Sequence, residues 1–255
     1  MIHPTAVIHA GAQLGADCEI GPYCIVGEHV VLGDHCKLHS HVVIDGHTTL
    51  GQHNEIFPFA SLGLKTQDRK WKGGLTRTQI GDRNTFREYA TVHSATGDGE
   101  VTVVGHDNHI LAYCHIAHNC LLGNQVIMSN VATLAGHVKV EDYAVIGGLT
   151  AVHQFTRVGT MSMIGGCSRV IQDVAPFMLV VGNPAETVTI NKVGLERNGA
   201  AGEAEAALKQ AYKIIFREGL TMPNALVRVE AEVPALPEIR HLVEFCRTSQ
   251  RGVTK

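Results

Sequence analysis

The sequence predicts a parallel β-helix, a triangular prism over most of its length, with a small helical domain after it. Three observations carry that prediction: an aliphatic residue at every sixth position, two further registers in step with it, and a change of period near the C-terminus. Stepping by six from Ile2 gives Ile8, Leu14, Ile20, Val26, Leu32, Leu38, Ile44, Leu50, Ile56 and Leu62 without a miss. The same phase resumes at Ile80, Phe86 and Val92, then runs unbroken from Val104 to Val170. A period of six fits a short strand plus a turn. Each hexad makes one flat side, and the aliphatics stack inward coil upon coil.

The second register is glycine directly after the aliphatic, as at Gly15, Gly21, Gly33, Gly105 and Gly147, read here as a corner needing unusual backbone angles. The third is a small or β-branched residue four places after the aliphatic, which includes Cys18, Cys24, Cys36, Cys114 and Cys120. These read as small buried hydrophobes rather than ligands or disulfide partners. Three hexads make a coil of about 18 residues. The pattern breaks at 63–79 and 94–103 and returns in phase, so both segments read as loops extruded from a continuous helix. Such loops are where binding residues concentrate on a rigid scaffold.

The period ends near Val174, and the chain divides into a prism over 1–187 and a helical domain over 188–255. GEAEAALKQAYKIIFREG has helical spacing and closes at Gly219, and a second helical run follows Pro237. A net charge of -3 gives no pull toward nucleic acid or an anionic membrane. No apolar run reaches the length of a membrane span, and the first residues lack the apolar core of a secretory signal. A cytoplasmic protein with reduced thiols is the expectation.

Histidine dominates the candidates for chemistry. His29, His35, His41, His47 and His53 recur every six residues at an outward position and read as solvated rows. The group between 113 and 154 is different. Counted in coils, His118, Gly136 and Gln154 share one column, with His137 and His153 beside it and His115 three residues away. Such a ridge suits either a zinc site with an open position or an imidazole general base beside oxyanion donors. Spacing alone leaves both open.

CHIAHNCLLGN, followed by ATLAGHVKVEDYAVIGGLTAVHQF and IGGCSRVIQDVAPF, closely resembles the UDP-N-acetylglucosamine O-acyltransferases that begin lipid A synthesis. IGDRNTFRE, the QDRK loop, the GNPA segment and the helical tail extend the resemblance over almost the whole chain. It implies an all-β left-handed parallel β-helix with a small all-α C-terminal domain, assembled as a homotrimer with active sites between subunits. It also implies transfer of an (R)-3-hydroxyacyl chain from acyl carrier protein to the 3-hydroxyl of UDP-N-acetylglucosamine, with no metal or diffusible cofactor.

Carried onto this chain, the resemblance makes His118 the general base and Gly136 the residue whose N–H receives the oxyanion. Asp68 and Lys70 hold the sugar nucleotide, and His115, His137, His153 and Gln154 line the cleft. Asn191 and Arg197 lie near the uracil and phosphates. Gly166 is the position where an acyl tail is measured; lacking a side chain, it implies a longer chain, about C14, over a short one.

Three positions depart from the family pattern. Asn119 stands where an Asp usually follows the catalytic His, which predicts a weaker base and an altered pH profile in Asn119→Asp. Val193 replaces a Glu, and Pro184 a frequent His. The related N-acyltransferases share HIAHNC but carry an extra domain ahead of the repeat, whereas here the repeat begins at Ile2. Zinc-dependent γ-class carbonic anhydrases share the prism but lack the QDRK loop and helical tail.

Overall fold

The computed structural model describes every residue except Ala201. Among the described residues, strands of mostly two residues build three sheets, the faces of a left-handed prism, parallel throughout except for the last strand of the third. The first face has nine strands beginning at Val7–Ile8, the second eight beginning at Gln13–Leu14, and the third ten beginning at Glu19–Ile20. Val7 pairs with Ile25 and Ile8 with Val26, so one coil is one hexad triplet, as the periodicity predicts. The stepped aliphatics, from Ile20 to Val170, form one continuous buried column, with Phe86 the largest side chain in it.

The five cysteines of the small register are buried there. Burial pushes the Cys114 thiol up to about 11 and Cys120 to about 12, so both are inert. The glycine register has a different cause from the one expected. Apart from Gly63 at the start of the first break, its members do not adopt positive φ; the left-handed corners fall three residues after the aliphatic, at residues such as Tyr23, His41, Asn119 and His137. Glycine is needed because successive coils touch: a Cβ on Gly33 would lie 2.5 Å from the Gly51 carbonyl carbon. The outward histidines stack coil on coil, His29 on His47 at 4.3 Å and His35 on His53 at 4.7 Å.

Both breaks in the repeat leave the prism, but strands reach into them. Ser61–Leu64 and Arg77–Ile80 flank the first excursion, and Thr91–His93 and Val101–Val104 the second. The excursions are laced together: Thr66 and Thr96 hydroxyls meet at 2.9 Å, and the Leu75 N–H donates to Asp98 at 2.7 Å.

The prism ends in an antiparallel hairpin, Met178–Gly182 with Ala185–Ile190, that the periodicity does not announce; Pro184 sits at its tip after a cis bond from Asn183. Among the described residues, four helices follow: α1 (Lys192–Arg197), α2 (Glu203–Phe216), α3 (Met222–Glu232) and α4 (Pro237–Arg247). α2 and α4 are the two helical runs expected, whereas α3 was not. Their apolar faces bury Ala175, Phe177 and Met178 of the last coil in a second core. Polar ties reinforce the joint, with His241 of α4 2.7 Å from Glu141 and Arg157 bonded to Asp173 and to the Phe245 carbonyl.

Candidate active site

His118 lies at the corner between the first face, at His115–Ile116, and the second, at Leu121–Leu122. Only 14 % of its side chain is exposed. Its Nδ1 is 2.9 Å from Asn119 Oδ1, and the orientation of that amide is fixed from both ends. The Thr96 N–H donates to the same oxygen at 3.1 Å, and Asn119 Nδ2 donates to Glu100 Oε2 at 2.8 Å. Asn119 therefore offers His118 an acceptor, so Nδ1 carries the proton and Nε2 is the free basic nitrogen.

That nitrogen faces Asp68, whose Oδ2 is 3.7 Å away, on the first excursion. The Asp68 carboxylate turns its own loop, accepting the Lys70 N–H at 2.9 Å, while the Lys70 side chain points to solvent. Gly136 lies one coil above His118, and the ring passes directly over it: a Cβ there would come within 2.5 Å of Nε2. Among the described residues, no backbone acceptor takes the Gly136 N–H.

His137 meets His118 edge-on, at 5.2 Å and 89°, and stacks on Phe155 at 4.6 Å. Its pKa is lowered by burial and then by His118. His115, held by Thr91 at 2.8 Å, is lowered for the same two reasons. The imidazoles around His118 are thus held toward the neutral form. Among the described residues, no three His, Cys, Asp or Glu side chains converge closely enough to share a metal ion. His153 and Gln154 continue the column one coil further, both exposed, with His153 near Arg251 at 3.3 Å. From His137 a cleft of about 610 Å³ runs past Lys139, Arg157 and Arg251 toward the helical domain.

Two residues near His118 escaped the sequence reading. Glu100 sits in the second excursion, where no period points to it. His93 ends the strand whose Thr91 and Val92 pair with His115 and Ile116, one coil below, and its ring lies 5.2 Å from that of His115. It is 8 % exposed, its Nδ1 has no partner, and burial, then His115 and His118, push its pKa down to about 4. An unfolded chain takes up this proton near 6.5, so between 6.5 and 4 the unfolded state binds more protons. Stability is full above that window and falls as pH drops through it, by up to about 3 kcal/mol at this residue. Melting curves for His93→Asn should lose less Tm between pH 6.5 and 4.5 than wild type; parallel losses would discount this source.

Three of the expected site residues are not near His118 in one chain. Asn191 is buried as the N-cap of α1, accepting the Gly194 N–H and donating to the Met161 carbonyl at 2.8 Å. With Val193 and Arg197 it borders a cleft of about 460 Å³ against Ile127, Val145 and Met163 of the third face, the side opposite the His118 corner. Gly166 lies at the corner between the third and first faces.

A hexad-built prism with a tautomer-fixed imidazole at one corner places the chain among the hexapeptide-repeat transferases. Residues 1–33 and 11–46 match the bacterial transferase hexapeptide profile, and residues 173–254 match that of UDP-N-acetylglucosamine O-acyltransferase, domain 2. An acyl-[acyl-carrier-protein]–UDP-N-acetylglucosamine O-acyltransferase of Verminephrobacter eiseniae is 49 % identical over 211 residues, 80 % of either chain. The structure of the UDP-N-acetylglucosamine acyltransferase of Bacteroides fragilis superposes with a TM-score of 0.97 at 38 % identity over 100 % of both chains. The Acinetobacter baumannii counterpart gives 0.96 at 41 % identity, covering 100 % of this chain and 99 % of that one. The chain belongs to the UDP-N-acetylglucosamine O-acyltransferase family.

Proposed function

We propose that the protein transfers an (R)-3-hydroxyacyl chain from acyl carrier protein to the 3-hydroxyl of UDP-N-acetylglucosamine, with His118 as general base. The observation that carries this reading is the fixed tautomer: Nδ1 is committed to Asn119, so Nε2, on the Asp68 side, is left free to accept a proton. Nε2 takes the proton of the 3-hydroxyl, and the oxygen attacks the thioester carbonyl. The tetrahedral oxyanion draws on the Gly136 N–H, which is free of backbone acceptors. Collapse breaks the carbon–sulfur bond, and the imidazolium returns its proton to the leaving thiolate. Asp68, close to Nε2, steadies the imidazolium in between and, with Lys70, holds the sugar nucleotide. The reaction balances without a cofactor.

The scatter of the remaining residues supports a homotrimer with its sites between subunits. A prism corner cannot reach its own opposite face, so Asn191 and Arg197 would serve the His118 corner of a neighbouring copy. Closed three-fold symmetry gives every copy the same arrangement. Exposed Tyr23, Phe59, Tyr89, Tyr113 and Leu149 run along the corner that carries Gly166 and supply an apolar seam for such packing. Among the described residues, no helix is long and apolar enough to cross a membrane. The proposed use of carrier protein and sugar nucleotide supports a cytoplasmic location.

The deciding assay offers UDP-N-acetylglucosamine and its 3-amino analogue against a ladder of 3-hydroxyacyl carrier proteins. Transfer to the 3-hydroxyl is expected, and no transfer from any donor would overturn the reading. The same ladder tests Gly166. Its backbone does not require glycine, and a Cβ there meets only the Gly148 carbonyl at 3.3 Å, so a side chain fits and projects outward. Gly166→Met should shift the preferred donor to a shorter chain, and an unchanged preference would reject Gly166 as the ruler.

A further inference from the structure

We propose that Glu100 is a positioning residue for the acyl transfer, holding the Asn119 amide so that its oxygen, not its nitrogen, faces His118. The inference rests on His118 being the base. An amide beside an imidazole is ambiguous, because turning it over presents a donor to Nδ1 and drives the proton onto Nε2. A carboxylate in that place has no such freedom. Here the ambiguity is removed from behind: Glu100 Oε2 accepts from Asn119 Nδ2 at 2.8 Å and also takes the Gly97 N–H at 2.8 Å. These two bonds hold the Glu100 carboxyl below the usual carboxylate range, Asn119 first, so it is ionised and acts only as an acceptor.

The Gly97 bond closes the turn that carries Thr96, whose N–H fixes Asn119 Oδ1 from the other side. One carboxylate thus sets both constraints on the amide. Its charge reaches His118 through an exposed, solvent-screened path, so orientation rather than field is its main contribution. The other groups around His118 are Asp68 and Lys70 of the first excursion, His137 of the coil above, His115 of its own coil and His93 of the coil below. Of these, only Asp68 adds negative charge, and it lies on the Nε2 side.

The test is a double-mutant cycle between Glu100 and Asn119, read as kcat, KM and pH profile. Glu100→Ala should lower kcat about 10-fold with both KM values within about twofold, and move the acidic limb to lower pH. Glu100→Gln, whose oxygen still accepts from Asn119, should lose less. The decisive arm is Glu100→Ala with Asn119→Asp, since an aspartate accepts from Nδ1 whichever way it turns. It should recover most of the lost kcat. In the wild-type background, Asn119→Asp sets two carboxylates together and should bring no gain. A folded Glu100→Ala that Asn119→Asp fails to rescue would make Glu100 merely a loop residue and overturn the proposal, as would wild-type kinetics in Glu100→Ala. Activity surviving in His118→Ala would instead overturn the base assignment beneath it.

Discussion

His118→Ala is expected to lower kcat by about 10³-fold, within the range general bases contribute, and to leave the prism intact. That corresponds to about 4 kcal/mol of transition-state stabilisation. The attacking group is a sugar hydroxyl, which at neutral pH keeps its proton unless a base removes it as the bond to the thioester carbon forms. Among the groups around Gly136, His118 alone presents an unprotonated nitrogen fixed by its own hydrogen bond. Asp68 is 3.7 Å beyond it and faces the nitrogen that would collect the proton.

Binding should survive, because in the proposed arrangement the sugar nucleotide is held by the first excursion and a neighbouring copy rather than by His118. The variant should therefore keep its affinity for UDP-N-acetylglucosamine in calorimetry while losing turnover. The pH profile of the residual activity should also change, since the base that takes up the proton is gone. A kcat within 10-fold of wild type would remove His118 from the role.

Much of this architecture was readable from spacing because a β-helix turns sequence separation into distance. The column of His118, Gly136 and Gln154 follows from counting coils, and the register of His115 with Thr133 and of Thr133 with Ala151 bears the count out. The same arithmetic fails wherever the chain leaves the prism. The bond from Asn119 to Glu100 joins a coil to an excursion, and no period relates the two. Asn119 read from sequence as a weakened aspartate, yet its partner lies 19 residues back, in a loop whose conformation depends on contacts with the other loop.

The helical domain shows a similar divide. α2 repeats apolar residues at helical spacing and was expected, whereas α3 mixes Val227 at the surface with Leu226 and Val229 inside. Its burial comes from packing on α2 and α4 rather than from a clean stripe. Asn191 and Arg197 were identified by likeness alone, and their place on the face away from His118 carries no trace in local sequence.

Gly136→Ala should lower kcat by about 10²-fold, and the reason is steric rather than conformational. Gly136 is not in the left-handed region, so alanine is free to adopt its backbone angles. The added methyl, however, falls within 2.5 Å of His118 Nε2. The ring has little room to yield, tied at Nδ1 to Asn119 on one side and met edge-on by His137 on the other. Relief requires swinging the imidazole off Asn119 or lifting it from the cleft floor, and either moves the basic nitrogen by about 1 Å. The Gly136 N–H remains, so the loss measures misplacement of the base rather than absence of an oxyanion donor. A cycle with His118→Ala separates the two. Once the ring is gone, the methyl has nothing to strike, and Gly136→Ala should cost little in that background. If it still lowers kcat 10²-fold without the ring, the glycine acts on the oxyanion or the acyl donor, and the steric account fails.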